Sequence, residues 1–247
     1  MYALREMYDA VSDCEAGNLQ RNADQVKAWD EAAAFLIGSI DSNQGDNGDP
    51  NGSGQLLFSL GKERCPEFGT CFDDFAKVND EILSLMKTGQ AQLVGHQCSS
   101  LRELVGDIET LLVVPLMQSM LHYAAQSNSK GAGSSSGAVA EAFMFANALL
   151  PLINHADSYA GEAISYNLVH PFTTSTKPVP EGYQFVFDNA MSAFPGMNID
   201  CEDIGTYNKS WNFCNKIPSS KSASARLSCA ALSLIGLATT TFAILLK

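Results

Sequence analysis

The segment Ile153–Asn167, INHADSYAGEAISYN, sets four chemically capable side chains at helical spacing. On a continuous helix His155, Tyr159, Glu162 and Tyr166 fall at i, i+4, i+7 and i+11, along one stripe. One imidazole, two phenols and a carboxylate are hard donors of the kind ferric iron prefers to thiolate. Asp157 or Ser158 is placed to cap a helix here. With that cap His155 falls outside the helix, and Tyr159, Glu162 and Tyr166 remain on the stripe. The same pattern also fits an ordinary helix–helix contact.

Further donors come from other segments. In AWDEAAAFLIGS, Val26, Trp29, Ala33, Leu36, Ile37 and Ile40 form an apolar face, and Asp30 sits beside it. A carboxylate on a core-facing stripe needs a partner, a hydrogen bond or a metal, because burying it alone is costly. In VPLMQSMLHYA, Tyr123 shares a stripe with Leu116 and Met120, while His122 is expected on a more polar side. The candidate metal ligands are therefore Asp30, Tyr123, His155, Tyr159, Glu162 and Tyr166.

Other motifs are weaker. Gly133–Gly137 reads GSSSG, but a nucleophile elbow needs a strand feeding a strained turn, and QSNSKGA supplies none. Asp41, Asp46 and Asp49 lack the alternating ligands and closing acid of a calcium loop. No CxxC or HxxxH pair suggests zinc. Two tripeptides, Asn51-Gly52-Ser53 and Asn208-Lys209-Ser210, match the N-glycosylation sequon in polar loops.

These side chains need helices to position them, and the hydrophobic period is helical nearly throughout. Helices are expected near Tyr2–Cys14, Ala23–Ile40, Phe75–Gly95, Ser99–Gln126, Gly137–Ile153, Asp157–Val169 and Tyr183–Ala193, with a short turn near Gln55–Ser59. Only YQFVF alternates like a strand. Polar loops at 41–54 and 127–137 and a Pro-punctuated, extended stretch at 170–182 separate them. The expected fold is an all-α multi-helix bundle with long polar loops.

The chain has 247 residues, 46% apolar and 17% charged, enough to bury a core. Fifteen basic against 27 acidic residues, net −12, exclude a phosphate-neutralising nucleic-acid binder. Seven cysteines lie at 14, 65, 71, 98, 201, 214 and 229. Cys65 with Cys71 and Cys201 with Cys214 would close short loops, leaving Cys14 with Cys98, as in an oxidised ectodomain. Free buried thiols in a cytosolic protein are the alternative. Leu227–Leu246 is twenty residues without a charge, followed only by Lys247. At helical rise that is about 30 Å, the thickness of a bilayer's hydrocarbon core. It reads as a spanning helix or, behind the small polar SSKSASAR, as a lipid-anchor signal. The expected division is a helical ectodomain at 1–218, a polar linker at 219–226 and the membrane segment at 227–247. The charged amphipathic N-terminus is not a secretory signal, so a truncated start is expected; a tail-anchored cytosolic protein is the alternative.

Through AWDEAAAFLIGSID, GSGQLLFSLGKERCPEFGTC, VPLMQSMLHYA and KPVPEGYQFVFDNAMSAFPGMNIDCEDIG, the chain resembles the algal low-iron-inducible periplasmic proteins. The resemblance covers about residues 27 to 205. It implies a non-enzymatic protein of the cell surface or periplasmic space, acting in iron assimilation. By likeness to the related phytotransferrins it implies ferric iron, with carbonate, as the bound species and an uptake partner at the surface. The competing expectation is a surface structural or adhesion module without metal chemistry.

Overall fold

The computed structural model describes residues 2–18, 22–38, 56–72, 75–128, 136–174 and 177–215. All belong to a compact unit, Met1–Ile217. The apolar tail, the acidic loop 41–54, Gly133–Ser135 of the GSSSG motif, Asn51 and Cys229 lie outside the described residues.

The described chain is predominantly helical. Helices α1 (Tyr2–Glu15) and α2 (Asn22–Ile37) form a hairpin, with Tyr2 at one end stacked on Phe35 at the other. The inward stripe of α1 is Ala3, Met7, Ala10, Val11 and Cys14, the spacing of one helical face. On α2 the inward residues are Trp29, Ala32 and Leu36. Trp29 fixes α2 against α4 (Lys77–Val94): its indole N–H donates to the Met86 carbonyl at 2.9 Å. Its ring occupies the space above Gly89, where an added Cβ would come within 2.2 Å of Cζ2.

Between them α3 (Leu57–Phe68) ends at Gly69, whose left-handed φ of 67° lets its N–H reach the Cys65 carbonyl. The expected short turn near Gln55–Ser59 is thus the start of a longer helix. Gly61 and Pro66 interrupt its propensity, and tertiary packing overrides them. A small hairpin, β1 (Cys71–Phe72) with β2 (Phe75–Ala76), leads into α4.

Helix α5 (Leu101–Ser127) is the axis of the bundle, packed by α1, α3, α4, α6, α9 and α10. From Leu111 onward it is buried on nearly every face, whereas Arg102, Glu103 and Asp107 are exposed near its start. Helix α6 (Ser136–Ala156) runs against it, and α7 (Ser158–Ile164) continues through a π-helical turn (Ser165–Val169) into α8 (His170–Thr174). The expected extended stretch therefore begins as helix. The alternating YQFVF segment is also helical, lying in α9 (Tyr183–Ala193), where Val186 and Phe187 are buried. Its short alternation gave way to packing on α5 and α7. After α10 (Cys201–Ile204) a second hairpin, β3 (Thr206–Tyr207) with β4 (Trp211–Asn212), closes the described chain.

Three disulfides join Cys14 to Cys98, Cys65 to Cys71 and Cys201 to Cys214. By length and composition, the segments Cys98–Ser127 and Ser136–Ala156 could each cross a bilayer. The first is the mostly buried core helix of the bundle. These features are compatible with a secreted or membrane-associated chain.

Candidate functional site

The donors expected from sequence lie on several different surfaces. Asp30 is exposed on α2 and accepts a hydrogen bond from Gln90 at 3.2 Å, so it is not on the core face. Its neighbour Trp29 takes the inward position, and one residue along a helix is a turn of about 100°. Of the two expected caps it is Asp157 that caps α7, accepting from the Tyr159 and Ala160 N–H groups. His155 is exposed in the last turn of α6, ahead of that cap. Tyr159, Glu162 and Tyr166 share the outer face of α7 and its π-turn, the two tyrosines 68% and 50% exposed. Ala160, Gly161 and Ile164 take the inner face. Among the described residues no polar contact joins any two of these six, and no group of three or more His, Cys, Asp or Glu side chains could hold a metal.

Convergence occurs elsewhere, and of the six only Tyr123 takes part, packed against Arg64 and His122. Arg64 and Glu67 sit one turn apart on α3, and His122, Tyr123 and Gln126 on α5. His122 is buried, not on a polar side, because α5 has little polar side to offer from Leu111 onward. Glu67 Oε2 receives Arg64 Nη1 at 2.8 Å and lies 2.7 Å from His122 Nδ1. That second contact is short but off the ring N–H axis, a close polar approach and not an aligned hydrogen bond. Gln126 Nε2 lies 2.7 Å from His122 Nε2. A tautomer with the ring proton on Nδ1 leaves Nε2 to accept from the Gln126 amide.

Arg64 is only 3% exposed and needs compensation. It has Glu67 on one side, Glu63 on the other, and the Tyr123 ring 5.5 Å from its guanidinium carbon. Tyr123 in turn stacks on Phe145 of α6 with 5.8 Å between centroids. Burial pushes the Glu67 carboxyl up, but His122 and Arg64 outweigh it, and the net shift is below the usual carboxylate value. The Tyr123 phenol moves the other way. Burial raises it and Glu141, Glu63 and Glu67 add to the rise, while Arg64 opposes.

The β3–β4 hairpin forms the facing wall. Its Tyr207 ring packs on Phe68 at 5.1 Å and Phe187 at 5.6 Å, and stands 6.2 Å from the His122 ring. The Asn208 backbone N–H donates to the Glu67 carbonyl at 2.7 Å, tying the hairpin to the end of α3. Gly205 permits this approach: its φ is 86°, and a Cβ there would lie 2.3 Å from the Phe68 carbonyl oxygen. Behind the wall, the buried amide of Gln118 donates to the Ile204 carbonyl at 3.1 Å, and Lys77 meets Asp203 at 2.9 Å. Cys65–Cys71 and Cys201–Cys214 staple the two walls close to the site.

Between the walls lies an open cleft of about 760 Å³, lined among others by Glu67, His122, Gln126, Tyr183, Tyr207 and Trp211. Burial raises the Tyr207 phenol, helped by Glu67 and Tyr183, against a hydrogen bond with Asn208 and the charge of Arg64. The cleft thus offers a carboxylate, an imidazole and protonated phenols on rigid supports, a set able to take a hard cation or a polar ligand. Sequence carried one hint of it. KERCPEF places an Arg and a Glu on either side of a cysteine, and His122 follows the apolar run LLVVPLM. No protein-family model, curated protein or solved structure matches this chain.

Proposed function

We propose that this chain is a non-catalytic cell-surface protein that binds ferric iron in the Glu67–His122 cleft and concentrates it for uptake. In this reading residues 227–247 hold it to the membrane, as a spanning helix or as the signal exchanged for a lipid anchor. The observation that carries the reading is the meeting of carboxylate, imidazole and phenol donors from α3, α5, α9 and the β3–β4 hairpin in one open cleft. Arg64 and His122 both meet Glu67 at Oε2, so Oε1 is the oxygen offered to an incoming cation. The raised phenol of Tyr207 makes phenolate ligation compete with a proton, and iron binding therefore strengthens as pH rises. The three disulfides and the uncharged tail support an extracellular, membrane-held address.

The test is titration of the detergent-solubilised chain with ferric salt and bicarbonate. A tyrosinate-to-iron charge-transfer band is expected, lost in Glu67→Gln and Tyr207→Phe and kept in Glu162→Gln. A folded chain that develops no band rules out phenolate-bound iron. A band lost in Tyr159→Phe but kept in Tyr207→Phe moves the site to α7. Phospholipase release from intact cells separates a lipid anchor from a spanning helix.

A structural or adhesion module is the second reading, favoured by the want of a three-ligand His, Cys, Asp or Glu group among the described residues. It expects chelators to leave the melting temperature unchanged, where a bound ion raises it by linkage.

A further inference from the structure

The sequon Asn208-Lys209-Ser210 is not absorbed by the metal reading, and its place in the fold gives it a role. Its three residues form the exposed tip between β3 and β4. Asn208 and Lys209 both have positive φ, 47° and 58°, and the Tyr207 carbonyl accepts the Ser210 N–H at 3.0 Å. Those are the φ signs of a type I′ turn, a conformation that asparagine tolerates better than most residues. The backbone of Asn208 is engaged by Glu67, but its side chain is exposed at the rim of the cleft. The side-chain amide also hydrogen-bonds the Tyr207 phenol, and because it carries two N–H groups a substituent on Nδ2 leaves one of them for that contact.

We propose that Asn208 is an N-glycan acceptor and that its glycan stands at the lip of the cleft. The donor class is a lipid-pyrophosphate-linked oligosaccharide. The Asn208 Nδ2 forms a bond to the anomeric carbon as that carbon's bond to the pyrophosphate oxygen breaks. The lipid pyrophosphate leaves, one amide proton passes to a base, and no redox partner is required. The Ser210 hydroxyl is the sequon element that the transferase reads. The proposal goes beyond iron binding and uses only the oxidising address implied by the disulfides.

The experiment is expression of the full chain with an added secretory leader in eukaryotic cells, in an Asn51→Gln background that removes the other sequon. The leader delivers the chain to the lumen whatever its native address, so occupancy reports on the site itself. A single peptide:N-glycosidase-sensitive mass shift is expected, with conversion of Asn208 to aspartate at the released site. Ser210→Ala abolishes the shift while leaving the Asn208 side chain in place, and Ser210→Thr keeps it. A secreted Asn51→Gln chain with no glycosidase-sensitive shift overturns the proposal, as does a shift that survives in Ser210→Ala. The mass shift reports occupancy of Asn208 whether or not the cleft takes iron, so it and the ferric titration fail separately.

Discussion

Two regions of this molecule carry nearly the same chemical groups and differ in almost every physical respect. The α7 stripe presents Tyr159, Glu162 and Tyr166 from one continuous stretch, all exposed. The cluster at the cleft gathers Arg64, Glu67, His122, Tyr123 and Tyr207 from two helices and a hairpin, at contacts of 2.7 and 2.8 Å around Glu67. Water competes for every group in the first region. In the second, burial makes each charge depend on its neighbours, and the shifts at Glu67, Tyr123 and Tyr207 follow. Periodicity can align donors along a helix, but it cannot bring them to one point.

Substitutions can sharpen or break that contrast. The largest effect is expected at the staple of the facing wall: Cys201→Ser with Cys214→Ser should cost about 3 kcal/mol in urea unfolding, the scale for a loop of this length. Arg64→Met should follow at about 2–3 kcal/mol, discounted from the range for fully buried pairs because both carboxylates keep access to water. A loss under about 0.5 kcal/mol there would mean that the cluster is held as loosely as the stripe.

On the α7 side the expected cost resides in the cap. Asp157→Ala should lose about 1 kcal/mol, since the carboxylate satisfies two N–H groups of the first turn. The Ala160 N–H, Ser192 and the Tyr159 N–H hold Asp157 below its ordinary value of 3.8. Glu67 is likewise depressed below 4.5. For a depressed carboxylate the stabilisation is complete above the ordinary pKa and is lost as pH falls through the folded value. Glu67→Gln and Asp157→Ala should therefore each flatten the decline in stability below about pH 4.5, the former by no more than about 1 kcal/mol given its half-exposed side chain. Smallest of all, Tyr159→Ala, Glu162→Ala and Tyr166→Ala should stay within about 0.5 kcal/mol by thermal melting. A larger loss in that set would reveal a partner on the outer face of α7.

Much of the helical frame was legible in the residues. The α1 stripe, the Asp157 cap and the three cysteine pairs follow from spacing and local hydrogen-bonding chemistry. The misses have local causes too. Helix α3 was obscured by Gly61 and Pro66, and the YQFVF segment alternates only over five residues, too few to separate strand from buried helix. Asp30 was set on the core face because its neighbours are apolar, yet Trp29, with far more surface to bury, decides the rotation of α2. His122 was assigned to a polar side, but the part of α5 that carries it is buried on nearly every face.

What the chain determined by itself is the periodic part: helical stripes, capping residues, cysteine spacing and an acidic surface, each set by interactions within a few residues or by composition. The meeting of Glu67 with His122, and the hairpin that faces them, depended on tertiary structure. They are 55 and more residues apart in the chain, and their approach rests on Gly205 clearing the Phe68 carbonyl, on Gln118 bridging to Ile204 and on α5 packing all elements at once. Long-range convergence is a property of the packed core, where the free energy of burying many apolar groups decides which few polar ones must face each other.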